Sequence, residues 1–423
     1  MPKKKEPDKN DNSIFGQFIN EELAEPIEAV EDDRELPDST DFTDLPDVNL
    51  EVLPIPPSWG SPIITRQLLR KIDPVEKLRP KTIDEIIGQD HVKQTLTRFM
   101  DAALKRGKPL DHTLLYGPPG LGKTTFASVI STYMGHRLKL LSGPNVDKRL
   151  VLDMITEMIG ETSDPGIPTQ VVFIDEIHGV EKDAMTLLLP LMEDFEFEDL
   201  ELPPFTIIGA TTEPSKLLGP LRDRFELKYQ LEFYSTSELS TIIRRSLSIL
   251  LQVEHALVEA YCDPNNPNLA GTQSVVMLAQ RARGVPRVAN HLVKRVVDFL
   301  DTSDVGKLQP EQLGPLLPDD FPTLLRFRPN IVSETMEALD IDANGLEKKD
   351  RAMLVTMLHR YKNRPVGIRA ISTALGENHE TVEFIMEPHL VRSGFINREQ
   401  RGRTLTTEGM LVAALEMEGR TQY

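Results

Sequence analysis

Residues 114–125, LLYGPPGLGKTT, constrain this chain more than any other stretch. Gly117, Gly122, Lys123 and Thr124 fit the phosphate-binding pattern G-x-x-x-x-G-K-[ST] without a gap. In such a loop the glycines let backbone N–H groups turn toward a phosphate chain. The lysine then reaches the β- and γ-phosphates, and the threonine hydroxyl holds Mg²⁺. The stretch therefore predicts a site for ATP and Mg²⁺.

Apolar strands and helices alternate around this loop. The run Thr113–Tyr116 predicts a buried strand before the loop, and residues 125–134 predict a helix after it. Two more apolar strands are expected at 171–174 and 205–210, and an amphipathic helix at 90–106. This alternation predicts an α/β fold with a parallel sheet, whose ligands bind at the carboxyl ends of the strands.

Polar side chains follow two of these strands at their carboxyl ends. Asp175 and Glu176 come directly after residues 171–174, and Thr212 follows the next strand. We expect Asp175 to support Mg²⁺, and Glu176 to orient and activate the attacking water. His178 is ambiguous, since local packing or a hydrogen bond explains it as well as a catalytic task does.

Composition and charge set the context for this site. The 423 residues suffice for two to four domains, carry a net charge of −18 and contain one cysteine, Cys262. No apolar stretch is long enough to span a membrane and no secretory signal is evident, so a cytoplasmic location is expected. Residues 1–60 hold 16 Asp/Glu and 5 Lys/Arg, a net of −11, and should form a disordered tail. The tail either solubilises the protein or binds a partner.

The second half of the chain is predicted to be mainly helical. Helices are expected at 237–251 and at 272–300, the latter broken at Gly284–Pro286. Three further helices, at 350–361, 367–375 and 381–393, have the layout of a helix-turn-helix.

A strand–turn–strand wing is expected after the third of these helices, at 395–406. Arg398, Arg401 and Arg403 surround its predicted turn. They form a candidate strip for DNA phosphates, although a solvated hairpin would show the same pattern.

Longer motifs resemble the RuvB family of AAA+ motors, which drive Holliday-junction branch migration together with RuvA. The matching stretches run in the family's order from about residue 78 to 406. They include LRPKTIDEIIGQ (78–89), LLYGPPGLGKTT (114–125), FIDEIH (173–178), LPPFTIIGATT (202–212), PLRDRF (220–225), RGVPRVANHLVKRV (283–296) and GFINREQRGRTLT (394–406).

The resemblance implies a fold and roles for single residues. The expected fold is an α/β AAA+ P-loop domain (61–232), a helical lid (233–318), a linker (319–330) and a winged-helix domain (331–423). Thr212 takes the sensor-1 position and Arg287 the sensor-2 position. Arg224 resembles an arginine finger supplied to a neighbouring subunit of a hexameric ring. Alternatively, Arg222 and Arg224 could be a pair of arginines that only form surface salt bridges. The nucleotide would be held by Arg79, Pro80, Ile87, Gly117, Pro118, Pro119, Gly120, Leu121, Gly122, Lys123, Thr124 and Thr125.

One departure from the family concerns its partner. The family carries a hairpin with an apolar tip that docks on RuvA, and only the acidic stretch 196–201 stands in its place here. We therefore expect an adaptor other than ordinary RuvA, or none. The tail or a longer loop at 160–168 could dock it, and Phe197 and Leu200 should pack on their own domain.

Three functions are compatible with these features. The first is a ring-forming DNA motor of RuvB type acting on branched or duplex DNA. The second is a motor of this origin with a different adaptor, and the third is an ATP-gated loading factor for a protein client.

Overall fold

The computed structural model describes residues 77–161, 170–197, 200–302 and 321–420. The predicted acidic tail and residues 162–168 of the predicted docking loop lie outside these ranges. In the described ranges, no helix is both long and apolar enough to cross a membrane.

The first domain is built on five parallel strands. They are β1 (Thr113–Tyr116), β2 (Arg137–Ser142), β3 (Gln170–Asp175), β6 (Thr206–Thr211) and β7 (Leu227–Gln230). Their order across the sheet is β2-β3-β6-β1-β7, with all pairs parallel. The predicted parallel sheet is confirmed. β2 and β7 were not predicted from the sequence. Both strands mix buried and exposed residues, so neither forms an apolar run.

Helices cover the sheet on both faces. They are α1 (Asp90–Arg106), α2 (Lys123–Met134), α3 (Lys148–Glu161), α4 (Lys182–Asp194) and the short α5 (Gly219–Asp223). The predicted bounds of α1 are confirmed. Its sequence carries an acidic residue in the first turn, two basic residues in the last and Gly107 as a left-handed C-cap.

A two-strand hairpin, β4 (Glu196–Phe197) and β5 (Leu200–Glu201), occupies the place of the family's docking hairpin. The Phe197 side chain is 5% exposed and belongs to the core beneath it, as expected. The Leu200 side chain lies outside what the structure describes.

The lid consists of helices α6 (Thr236–Leu251), α7 (His255–Tyr261), α8 (Ala270–Arg281) and α9 (Pro286–Thr302). A capping box formed by Ser235 and Glu238 begins α6. The expected break lies between α8 and α9, because Pro286 has no N–H with which to continue a helix.

The predicted linker differs from the structure. α10 (Phe321–Leu325) and α11 (Pro329–Ala338) occupy most of 319–338. Leu324, Phe327 and Ile331 are buried in the same core as the lid helices. These three apolar residues explain the result, because they form a core segment and not a spacer.

The last domain has its own core and the expected winged-helix layout. Its helices are α12 (Lys348–His359), α13 (Ile368–Leu375), α14 (His379–Thr381), α15 (Glu387–Arg392) and α16 (Thr407–Met417). The wing strands are β8 (Ile396–Glu399) and β9 (Gly402–Leu405), and a bridge between Val366 and Arg403 extends them.

The third helix, predicted at 381–393, is observed as an unbroken helical run over 379–392, but it is not α-helical throughout. A π-helical turn at Val382–Met386 separates α14 from α15. Pro388 explains this irregularity, because it lacks the N–H that a regular helix would donate four residues back.

Candidate nucleotide-binding site

A cleft of about 410 Å³ lies at the carboxyl ends of β1, β3 and β6, with helix α9 of the lid along its opposite side. Fourteen of the predicted site residues line it: Arg79, Pro80, Ile87, Pro119, Gly120, Leu121, Gly122, Lys123, Thr124, Thr125, Asp175, Glu176, Thr212 and Arg287. Gly117, Pro118 and Arg224 are not part of its lining. Strand ends far apart in sequence therefore meet at one cleft, as expected for a parallel sheet.

Lys123 is the buried cation of the cleft. Its side chain leaves the first turn of α2, and the residue is only 7% exposed. Nζ donates to the backbone oxygens of Gly117 at 2.7 Å and Pro118 at 3.0 Å, which explains why these two residues matter although they do not line the cleft. Burial lowers the pKa of Lys123, while the charges of Glu176 and Asp175 act in the opposite direction. A partly desolvated ammonium group beside the loop is well suited to bind phosphate oxygens.

The lid contacts the phosphate-binding loop directly. Gly120 has φ +82°, and a Cβ built there would lie 2.7 Å from Val285 Cγ1 and 3.2 Å from Arg287 Cβ. Arg287 N donates to the Gly120 oxygen at 3.4 Å. Only glycine permits both this backbone conformation and this approach. The cleft is therefore shared by two domains, and Arg287 is positioned by the loop.

Glu176 has an unusual backbone conformation, with φ 49° and ψ 51°, in the left-handed region. Its carboxylate accepts hydrogen bonds from the backbone N and from Oγ1 of Thr212, each at 3.0 Å. A non-glycine residue in this region costs about 1–3 kcal/mol and persists only when its surroundings hold it there. The conformation turns Glu176 toward β6, so that the two predicted catalytic side chains bind each other.

The backbone of Glu176 is also closely packed from behind. A Cβ at Gly143 would lie 2.2 Å from the Glu176 backbone oxygen. Gly143 belongs to the short turn that follows β2, the strand next to β3. Gly143, in the stretch Ser-Gly-Pro at 142–144, therefore has a steric role that the sequence alone did not show.

Sequence reasoning missed one whole side of the cleft. Helix α9 contributes Asn290, His291, Lys294 and Arg295 in addition to Arg287. Positions 287, 290, 291, 294 and 295 recur every three or four residues and so share one helical face. That spacing was visible in the sequence, and it could have identified these residues once Arg287 was assigned to the site.

The end of the cleft near Arg79 is fixed by an ion pair between domains. Arg245 of α6 donates through Nη2 to Glu85 Oε2 at 2.6 Å and through Nη1 to the Leu78 oxygen at 3.3 Å. Tyr234 also lines this cleft, and burial raises the pKa of its hydroxyl to about 12. The N-terminal segment that carries Arg79 and Pro80 is therefore tied to the lid.

Thr124 and Asp175 are the candidate Mg²⁺ ligands. Both line the cleft beside Lys123, and they offer a hydroxyl and a carboxylate oxygen, the ligand type that Mg²⁺ prefers. Among the described residues no group of three or more His, Cys, Asp or Glu side chains could enclose a metal. The donor set fits an ion that takes most of its ligands from water and phosphate.

Arg224 lies away from the cleft, at the end of α5. It forms an ion pair with Glu193 of α4, and its side chain is 36% exposed. Arg222 is more exposed and is 4.0 Å from Asp223. Arg224 therefore cannot act on the nucleotide site of its own chain in this arrangement.

The three predicted DNA contacts do not form one strip. Arg398 is 62% exposed and Arg401 is exposed at the wing turn. Arg403, however, is 12% exposed and donates to both carboxylate oxygens of the buried Glu387, at 3.0 and 2.9 Å. The physical reason is that a buried carboxylate requires a partner. A phosphate contact by Arg403 would require this pair to open.

The cleft combines the phosphate-binding loop after β1, a polar residue at the end of the adjacent β6, an acidic pair at the end of β3 and a helical lid. These features define an AAA+ P-loop ATPase. This chain adds a winged-helix domain to that ATPase.

Comparison with known proteins gives the family. Three RuvB models match: the Holliday junction DNA helicase RuvB P-loop domain over 78–231, the RuvB AAA lid domain over 269–314 and the RuvB C-terminal winged-helix domain over 343–413. Among solved structures, the Thermotoga maritima RuvB Holliday junction branch migration motor is 36% identical with a TM-score of 0.63. A mutant of the same organism's RuvB is 35% identical with a TM-score of 0.64. Each comparison covers 81% of this chain and 98% of the other. The chain belongs to the RuvB family.

Proposed function

We propose that this protein is an ATP-driven DNA motor that assembles into a hexameric ring and drives branch migration of Holliday junctions or related branched DNA. The observation that carries the proposal is the cleft in which Lys123, Glu176, Thr212 and Arg287 meet between the large domain and the lid. Such a cleft changes shape when the lid moves. Nucleotide turnover can therefore be converted into domain movement.

The chain's own residues divide the chemistry of hydrolysis. Lys123 and the N–H groups of the loop bind the phosphates, and Arg287 approaches them from the lid. Thr124 and Asp175 would hold Mg²⁺, which neutralises phosphate charge when bound. Glu176 orients the attacking water and accepts its proton, and Thr212 donates its hydroxyl near the γ-phosphate. The hydrogen bonds between Thr212 and Glu176 keep these two groups close to each other.

Ring assembly supplies one more positive charge to the nucleotide site, from the neighbouring subunit. Arg224 is partly exposed and outside its own cleft, so it is available to a neighbouring subunit once the pair with Glu193 opens. An arginine finger of this kind makes hydrolysis depend on ring formation, because the transition-state charge is completed only at the interface.

DNA binding is assigned to the exposed part of the wing. Arg398 and Arg401 are exposed on the wing, and Arg364 and Arg369 are exposed near the bridge between Val366 and β9. Helix α14 and the π-helical turn contribute Glu380 and Glu383, which would repel phosphates. We therefore place the phosphate contacts on the wing and the start of α13.

The adaptor is a second element of the proposal. The hairpin β4–β5 has two residues per strand, and Phe197 is committed to the domain core. Without a projecting apolar tip, the protein lacks the surface that the family uses to bind an ordinary RuvA. The protein therefore works alone or with an adaptor of different chemistry.

The test of function uses a four-way junction. Wild type should hydrolyse ATP faster with junction DNA and move the branch point, whereas Glu176→Gln should bind ATP and hydrolyse it very slowly. Glu181→Gln, an exposed nearby residue, is the matched control and should behave as wild type. Hydrolysis that is indifferent to every DNA but responds to a protein client would favour the loading factor instead.

The adaptor is tested separately by calorimetry with RuvA from the same host. No binding is expected. Micromolar or tighter binding that survives Phe197→Ser and deletion of residues 1–60 would contradict this part of the proposal.

A further inference from the structure

His178 lies between the two strand ends that carry the catalytic carboxylate and its threonine partner. It belongs to the short helical turn Ile177–Gly179 after β3, and its side chain is 18% exposed. Nδ1 is 2.8 Å from Thr211 Oγ1 and 3.3 Å from Glu176 Oε2. The Nδ1 edge of the ring therefore hydrogen-bonds to Thr211 and lies beside the carboxylate that is expected to activate water.

The other ring nitrogen faces a second carboxylate at a longer distance. Nε2 is 3.8 Å from Glu213 Oε1. Glu213 is 18% exposed, and its backbone N donates to Thr211 Oγ1 at 3.0 Å. Lys216 Nζ donates to Glu213 Oε1 at 2.8 Å, which keeps this second carboxylate in place. Because β3 and β6 are adjacent in the sheet, the whole frame around His178 consists of residues from neighbouring strand ends.

The other contacts that orient the Glu176 carboxylate come from Thr212, which donates to it through its backbone N and Oγ1. Its left-handed backbone conformation persists only while its surroundings hold it, and Gly179 N donates to the Glu176 backbone oxygen at 2.8 Å. The Thr212 hydroxyl, one of its donors, is the group that the proposed function assigns to the γ-phosphate. His178 is the neighbouring side chain that has no assigned role toward nucleotide, and it reaches the carboxylate from the side of β3.

We propose that His178 is a positioning residue for Glu176, which it approaches through Nδ1, while Thr211 Oγ1 orients the ring and Glu213 lies opposite Nε2. This inference rests on the proposed ATPase function. It assigns to the site a residue pair, His178 and Glu213, whose effect should be on the chemical step and not on nucleotide binding.

Two conservative substitutions separate this role from simple packing. The amide nitrogen of asparagine can replace Nδ1, and that of glutamine can replace Nε2. His178→Asn should therefore keep the contact to Glu176, whereas His178→Gln should keep only the contact to Glu213. A packing role would instead rank the variants by side-chain volume, with glutamine as the better substitute.

The measurements are kcat and KM for ATP, nucleotide affinity and Tm, with His255→Ala as an exposed-histidine control. His178→Ala should lower kcat about tenfold, a change of about 1.4 kcal/mol in the barrier, with KM and nucleotide affinity unchanged. His178→Asn should recover most of that loss and His178→Gln should not.

A double-mutant cycle gives the decisive result. In a Glu176→Gln background, single-turnover rates should show no further effect of His178→Ala, because the carboxylate to be positioned is gone. An equal effect in both backgrounds, or wild-type kcat for His178→Ala, would overturn the inference. If wild type does not hydrolyse ATP, or if Glu176→Gln turns over normally, the proposed function itself fails. The two failures are thus distinguishable.

Discussion

The ion pair between Arg403 and Glu387 allows a quantitative prediction. Arg403 on β9 forms two parallel hydrogen bonds to Glu387 of α15, whose side chain is only 2% exposed. We consider Arg403→Ala. The change leaves a carboxylate buried among the core residues of the winged-helix domain without its bidentate partner.

The structure limits the size of the effect. Removing one partner of a buried pair costs about 3–5 kcal/mol. Arg398 Nε, however, is 3.7 Å from Glu387 Oε1 and can move closer. We therefore expect the lower end of that range, about 3 kcal/mol, which corresponds to roughly a hundredfold larger population of the open domain.

Hydrogen–deuterium exchange of the full-length protein measures this population. Amides of β8 and β9 should exchange roughly a hundredfold faster in Arg403→Ala, if their exchange occurs by opening of the domain. Arg401→Ala removes an exposed arginine two residues away and should change nothing.

A double substitution, Arg403→Leu with Glu387→Met, serves as the second control. It should restore most of the protection, since apolar residues can replace a buried pair at little cost. Unchanged exchange in Arg403→Ala would refute the claim that this pair holds the wing.

Three further predictions concern assembly, DNA and acid. Mixing Arg224→Ala with Lys123→Ala subunits should restore ATPase activity at hybrid interfaces, and no recovery in mixtures that demonstrably co-assemble would argue against a finger in trans. Neutralising Arg398 and Arg401 together should make the plot of log K for DNA binding against log salt concentration less steep by about two units, as measured by titrations with junction DNA. An unchanged slope would place the DNA phosphate contacts elsewhere on the protein. Burial lowers the pKa of His112 from 6.5 to about 4. The unfolded chain therefore binds a proton there before the folded protein does, and the folded protein loses stability as the pH falls from 6.5 toward 4. Between pH 7 and 5 urea unfolding should show a loss of about 2 kcal/mol from this group, and the loss should be smaller in His112→Asn.

Features that depend on neighbours along the chain were predictable from the sequence. The phosphate-binding loop needs glycines at fixed spacing, so its pattern identified both the strand before it and the helix after it. Helix 90–106 was predicted with its observed bounds, because its caps and terminal charges are local signals. The second helix of the winged-helix domain, predicted at 367–375, is observed at Ile368–Leu375 and ends at Gly376, its left-handed C-cap.

Other features required the fold, because they depend on which segments become neighbours. The sheet order places β3 beside β6, and only that order brings Glu176, Thr212 and His178 together. Strand order follows from the packing of helices on both faces, which no local pattern records.

The wing shows the same limit of local sequence for two arginines that are only two residues apart. Arg401 and Arg403 look alike in the sequence, but one is exposed and the other faces Glu387. Glu387 lies outside the two wing strands and becomes a neighbour of Arg403 only when α15 packs against the wing. Local sequence therefore determined which helices and strands form. The tertiary structure decided which arginine is exposed and which is paired, because a carboxylate removed from water requires a cation beside it.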